Sequence, residues 1–186
     1  MVLSDKEIKD LLESKELIIE TPDLYIGPSS VDMHLDNKAQ IFVKGELKQV
    51  IRIDERNSDN FKEYNGWNEL IIYPGEFYIL STVERFKLPN YIVGFVQGRS
   101  SIARAGISIH MAGFVDSGFE GNITLEVTNF TNTPILIPKN SRIGQIVFAR
   151  MLIPSEIPYG DKKDSKYQGQ MGPTITRIYK DYSHEK

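Results

Sequence analysis

The chain contains no cysteine. Disulfide staples are therefore excluded, and so is any zinc site built on thiolates. Histidine is scarce too: His34, His110 and His184 are the only three, and none sits at a metal-ligand spacing. Neither charge dominates, with 22 Lys and Arg against 25 Asp and Glu and a formal net charge of −3. This balance excludes the overall basic field of a non-specific nucleic-acid binder, while leaving room for local basic sites that hold small anions. No uninterrupted apolar run is long enough to span a bilayer, and Met1–Lys6 lacks the charged-then-apolar pattern of a secretion signal. The expectation is a cytoplasmic protein with no membrane and no nucleic-acid partner.

What is present suits one globular unit. The 186 residues are 40% hydrophobic and 25% charged, enough to bury a core. Ser4 and Glu7 have the spacing of a capping box, and Ile8, Leu11 and Leu12 follow at helical spacing, so a short first helix is expected to end near Lys15. Leu17–Ile19 reads as a short strand. Ala39–Val43, Leu70–Tyr73, Phe77–Thr82, Ile92–Gln97, Ile123–Phe130 and Gln145–Met151 are short runs rich in β-branched and aromatic residues, separated by turn formers such as Pro74-Gly75 and Pro138–Asn140. Strands punctuated in this way predict a mainly β barrel or sandwich. Ser100–Ala105 is the one interior helix expected, with Gly106 as its stop. A domain over 1–153 and a C-terminal tail or lid over 154–186 complete the outline.

Four places could carry chemistry. Gly98–Arg104 brings Arg99, Ser100, Ser101 and Arg104 together at a helix start, where free N–H groups, hydroxyls and guanidiniums can cradle phosphate. The alternative is that Ser100 only caps the helix and the arginines are solvated. Ala112–Gly121 places Asp116 on a glycine-rich turn, either beside a pocket or merely bracing the turn. In Ile123–Val127, alternation puts Thr124 and Glu126 on one face and Ile123, Leu125 and Val127 on the other. Glu126 is then either a solvated side chain or a carboxyl in a partly dry pocket, with its pKa raised into the range of a proton shuttle. In the tail, Tyr159, Lys166-Tyr167-Gln168-Gly169-Gln170, Gly172-Pro173 and Arg177 could close on a charged ligand, the alternative being an exposed, disordered terminus.

Taken in order, Pro28–Leu35, Pro74–Phe77, Leu88-Pro89, Gly98–Arg104, Ala112–Gly121, Leu125-Glu126 and Lys166–Pro173 resemble the motifs of the dCTP deaminase and dUTPase superfamily, across most of the chain. The resemblance implies a distorted, dUTPase-like β-barrel assembled as a homotrimer, with active sites between subunits. It implies a dCTP or dUTP substrate whose triphosphate carries Mg2+, and no zinc; the His-x-Glu and Pro-Cys-x-x-Cys signature of zinc deaminases is missing. Carried over, Glu126 is the catalytic acid/base, aided by Ser100 and Arg104. Arg99, Ser100, Ser101, Arg104, Asp116, Thr124, Leu125, Gln145, Tyr159, Lys166 and Gln170 are the nucleotide-binding residues. Family deaminases carry His-x-Thr-Ala where this chain has His110-Met111-Ala112-Gly113, one residue shorter and without the threonine. Glu126 favours a deaminase that stops at dUTP. Asp116 keeps open an enzyme that continues to dUMP, or one that hydrolyses dUTP alone, and a non-catalytic nucleotide sensor is the reading from another class.

Overall fold

Ser4 opens the first helix as its spacing predicts. In the computed structural model, which describes residues 1–43, 50–56, 58–109 and 112–182, α1 spans Asp5–Glu13. The Ser4 hydroxyl accepts from the Glu7 N–H at 3.3 Å, and the Glu7 carboxylate accepts from the Ser4 N–H at 2.9 Å. That second bond holds the Glu7 carboxyl below its usual range. Ile8 and Leu11 face the core. The helix stops at Glu13 rather than near Lys15, which instead takes a left-handed φ of 59°.

Among the described residues, eleven strands and a second helix follow: β1 (Ile18–Glu20), β2 (Val31–Phe42), β3 (Phe61–Asn65), β4 (Glu69–Ile72), β5 (Phe77–Lys87), β6 (Ile92–Gly98), α2 (Ser100–Arg104), β7 (Ile107–Ile109), β8 (Phe114–Val115), β9 (Glu120–Asn129), β10 (Ile135–Pro138) and β11 (Arg142–Arg150). The main sheet is antiparallel in the order β7-β9-β5-β2-β11-β6-β8, with β1 added on β5 and β3 on β2. β4 and β10 form a separate ribbon. The fold is mainly β, a curled half-barrel with two α-helices, as the punctuated strands predicted. Leu35, Leu80, Leu125, Ile146 and Phe148 fill its interior with no exposure. Among the described residues, no helix is long and apolar enough to cross a membrane.

The curl centres on an irregularity in β5. Its register with β9 shifts between Ser81 and Arg85, and its register with β2 shifts between Leu35 and Ala39. Extra residues on one strand bend and twist it, and they leave backbone groups without ladder partners. A β9 side chain satisfies several of those groups, and a side chain of the bulge itself ties it to β2. From β9, the Asn122 amide donates to the carbonyls of Thr82, Val83 and Glu84 at 3.1, 3.4 and 3.0 Å. From within the bulge, the fully buried Glu84 carboxylate accepts from the His34 N–H of β2 at 2.9 Å and meets His34 Nδ1 at 2.6 Å. Thr82 adds a third link, donating to the Glu84 carbonyl at 2.8 Å while its oxygen accepts from the Ile123 N–H at 3.0 Å.

Removing one member of a buried polar pair strands the other. A Glu84→Ala protein should lose about 3 kcal/mol of unfolding free energy, because it abandons both the His34 N–H and the imidazole. Urea unfolding measures this, and a loss within ~0.5 kcal/mol, the ordinary range for surface substitutions, would contradict the role given to Glu84.

Candidate active site

A cavity of about 560 Å3 opens between β5 and β9 on one side and β6 and β8 on the other. It lies where the two ends of the curled sheet approach each other. Alternation along β9 decides what it contains. Thr124 and Glu126 are half-buried on the cavity face, while Ile123, Leu125 and Val127 are buried. Leu125, expected among the binding residues, turns its side chain wholly into the core, so only its backbone is left to meet a ligand. The apolar walls come from Phe77, Ile79, Val96, Phe114 and Val115. Glu126 is paired in register with Ile79 across the β9–β5 ladder. Its side chain shares the cavity lining with these apolar residues and with Thr124, Gln170, Thr174 and Thr176.

Asp116 reaches the same cavity from a different setting. It begins a turn closed by the Phe119 N–H donating to its carbonyl at 3.2 Å, and its side chain is exposed at the mouth. Both expected roles of this residue are thus met by different atoms: its backbone braces the turn and its carboxylate faces the opening.

The segment after β11 is packed onto the barrel. Ser155 starts it, donating to the Asn90 carbonyl at 3.0 Å and accepting from buried Ser117 at 2.9 Å. Tyr159 accepts the Tyr167 N–H on its hydroxyl at 3.1 Å and tilts against Phe119 at 6.0 Å between ring centres. Residues 169–174 then run beside β9. Gly169 N–H donates to the Glu120 carbonyl at 2.7 Å, and Asn122 N–H donates to the Gln170 carbonyl at 3.0 Å. Gly118 and Gly121 lie beneath this segment. A Cβ on Gly118 would sit 2.4 Å from Pro158, and one on Gly121 would sit 2.8 Å from the Gln170 carbonyl. Both also hold positive φ, 80° and 147°. Tyr159, Tyr167, Gln170, Thr174 and Thr176 line the cavity from this side. Tyr167 belongs to the tail segment singled out in the sequence, whereas sequence reasoning missed Thr174 and Thr176, which carry no periodicity to single them out.

The remaining expected residues form a second group elsewhere on the surface. Arg99 is the N-cap of α2 and makes no capping bond through its side chain, so Ser100 is not the cap. Instead its guanidinium meets Asp32 at 3.3 Å and the Arg142 carbonyl at 3.1 Å. Arg142 joins the same carboxylate at 3.2 Å and lies over the Tyr25 ring at 4.4 Å. Gln145 accepts from the Ser30 hydroxyl at 3.1 Å and faces Gln97 and Asp32 on its two neighbouring strands. Ser100, Ser101 and Arg104 are exposed on α2. None of these lines the cavity that holds Asp116 and Glu126. Lys166 is also turned aside, to Asp181, whose carboxylate holds its ammonium above the usual lysine range. Asp32 and Arg142 went unassigned in the sequence, although Asp32 sits inside a motif quoted there. His110 and Met111, half of the shortened loop, lie outside the described residues, as does His184.

A second cavity, of about 630 Å3, is lined by Asp23, Tyr25, His34 and Arg142 among others. Its buried imidazole is already engaged by Glu84, and its guanidinium by Asp32. Among the described residues, no cluster of three or more His, Cys, Asp and Glu could hold a metal.

With this geometry in place, comparison with known proteins is informative. A family model described as dCTP deaminase-like matches residues 2–151. The chain belongs to the dCTP deaminase-like family. A relative from Persephonella marina named "dCTP deaminase, dUMP-forming" is 45% identical over 97% of this chain and 99% of its own. One of the same name from Methanosphaera stadtmanae is 41% identical over 97% and 95%. The solved 2'-deoxycytidine 5'-triphosphate deaminase from Agrobacterium tumefaciens superposes with a TM-score of 0.61 at 25% identity, covering 79% of this chain and 47% of that one. This dCTP deaminase-like chain is an enzyme of that family.

The wall that supports its tail should respond to acid. The Arg85 guanidinium, hydrogen-bonded to Glu120, holds that carboxyl below the usual carboxylate range. A carboxyl depressed in the folded state adds stability above its unfolded pKa of about 4.3, and that stability is lost as pH falls through the folded pKa. The pair is partly solvated, so its worth is under about 1 kcal/mol. Wild type should therefore exceed Glu120→Gln in thermal midpoint near neutral pH, and the gap should close as pH falls below the ordinary carboxylate range. A gap that persists or widens on acidification would refute the pairing.

Proposed function

We propose that this chain is a dCTP deaminase that carries its product on to dUMP, using the Asp116 and Glu126 carboxylates of one cavity for the two hydrolyses. The observation that carries the reading is their arrangement. Both open on the same space, one half-buried on a strand and the other exposed on a turn. The names of relatives 45% and 41% identical support the same choice over a deaminase that stops at dUTP.

The pyrimidine fits the apolar slot beside Thr124 and Glu126. Water adds to C4 of cytosine while Glu126 accepts its proton. Glu126 returns that proton to N3 of the ring, then takes the proton of the new C4 hydroxyl and passes it to the amino group, which leaves as ammonia when the C4–N bond breaks and C4=O forms, giving uracil. Positioning and a carboxyl of suitable proton affinity supply the rate. Asp116 accepts the proton of a second water that attacks the α-phosphorus, and pyrophosphate leaves with the electron pair of the broken P–O bond. Mg2+ is carried by the phosphate oxygens and neutralises their charge, which suits an ion that takes few protein ligands.

The second group of residues is expected to complete the site from a neighbouring copy. Within one chain, Arg99, Ser100, Ser101, Arg104 and Gln145 stand apart from the cavity. A homotrimer with sites between subunits would bring the α2 face of one copy to the cavity of the next. Ser100 and Arg104 would then hold the water and orient Glu126, and Arg99 and Gln145 would meet phosphate. Tyr159, Lys166 and Gln170 would close over the nucleotide from the tail.

Supplied with dCTP, the protein should release both ammonia and pyrophosphate. Glu126→Gln should still bind dCTP but release ammonia at least ~100-fold more slowly, the scale of a lost acid/base. Asp116→Asn should release ammonia and accumulate dUTP. Robust ammonia release by Glu126→Gln would sink the assignment of that residue. Ammonia without pyrophosphate from wild type would restore the enzyme that stops at dUTP. Pyrophosphate from dUTP alone would leave a hydrolase, and binding with neither product would leave a sensor.

A further inference from the structure

Asn122 uses every polar group it has, and it uses them in two directions. Its Nδ2 donates to three carbonyls of the β5 bulge. Its Oδ1 accepts from the Gly172 N–H at 3.2 Å. Its backbone N–H donates to the Gln170 carbonyl at 3.0 Å, and its carbonyl accepts from Gln170 Nε2 at 2.7 Å. One residue therefore joins the barrel's main irregularity to the segment that walls the cavity.

The last of these bonds fixes the orientation of Gln170. A carbonyl oxygen can only accept, so the carboxamide atom facing it must be the NH2 group. The other atom, Gln170 Oε1, is then left as a buried acceptor with no partner among the described residues. An unmet buried acceptor is costly. Gln170 lines the cavity, so a hydrogen-bond donor on the bound molecule can remove that cost.

We propose that Asn122 is a positioning residue that latches residues 169–174 to the β5 bulge and sets the Gln170 carboxamide to accept from an N–H or O–H of the bound nucleotide. This rests on the cavity being the nucleotide site. The latch is passive toward the chemistry, because Asn122 is absent from the cavity lining while Gln170, Thr124 and Glu126 are present. Its loss therefore weakens binding and leaves the chemical step alone. Gly121 supplies an independent handle. A methyl there meets the Gln170 backbone at 2.8 and 3.0 Å, and it displaces the strap without removing any bond to the bulge carbonyls.

The test uses the full-length enzyme, Asn122→Ala, Asn122→Asp and Gly121→Ala. In each variant, KM for dCTP should rise at least tenfold while kcat stays within threefold. Without nucleotide, trypsin should cut after Lys166 at least tenfold faster than in wild type. Asn122→Asp keeps the acceptor for Gly172 but sets a carboxylate against three carbonyls, so it should not rescue. A kcat loss with unchanged KM, or unchanged cleavage in Gly121→Ala, overturns the latch. If Asn122→Ala fails to fold, Gly121→Ala alone decides by the same two measures. Wild type that turns over neither dCTP nor dUTP defeats the function reading instead, and the cleavage arm still judges the latch.

Discussion

The bulge in β5 is the constraint on which the rest depends. Between Ser81 and Arg85 the strand carries more residues than β9 pairs, and the neighbouring ladder with β2 slips between Leu35 and Ala39. In a dry interior each unpaired backbone group costs free energy, so the neighbours must supply side-chain partners. β9 supplies Asn122, and the bulge itself turns Glu84 back to β2. The result is a bend locked by polar side chains from two sides. That bend curls the sheet and brings β6 and β8 within reach of β9, and the cavity is the space left between them.

The cavity then separates two carboxyls by environment rather than by distance along the chain. Glu126 belongs to a strand whose every second residue is core, and its cross-strand partner is Ile79. Asp116 belongs to a turn and meets solvent. The cationic residues on α2 and their neighbours on β11 stand on another face, with Asp32 drawing Arg99 and Arg142 together. Within a single copy these cationic residues and the two carboxyls therefore stand apart.

Much of this was legible in the sequence, for reasons that can be named. The capping box reports one helix end, and local hydrogen bonds suffice to make it. The alternation of β9 was read correctly because one face is core and the other cavity, so polarity tracks geometry. β2 was not read as a long strand. Asp32 and His34 interrupt its apolar pattern, yet both are buried, because Arg99 and Arg142 meet one and Glu84 the other. Buried polar residues satisfied by distant partners look like loop in one dimension. β7 and β8 escaped notice because strands of three and two residues have no period to detect.

The tail shows the same limit from the other side. Its polarity and glycines suggest a mobile lid, and nothing within it suggests where it would lie. The information sits in β9. Gly118 and Gly121 read as turn formers, and their positive φ values justify that. Their second reason is steric: Pro158 and the Gln170 backbone occupy the space a side chain would take. A glycine chosen for a turn is one that any turn could hold, whereas a glycine that also admits a second strand of chain fixes where that chain must go. Asn122 follows immediately and bonds to what Gly121 admits. The order Gly121-Asn122, unremarkable as sequence, makes the position of the tail a consequence of the bend in the barrel.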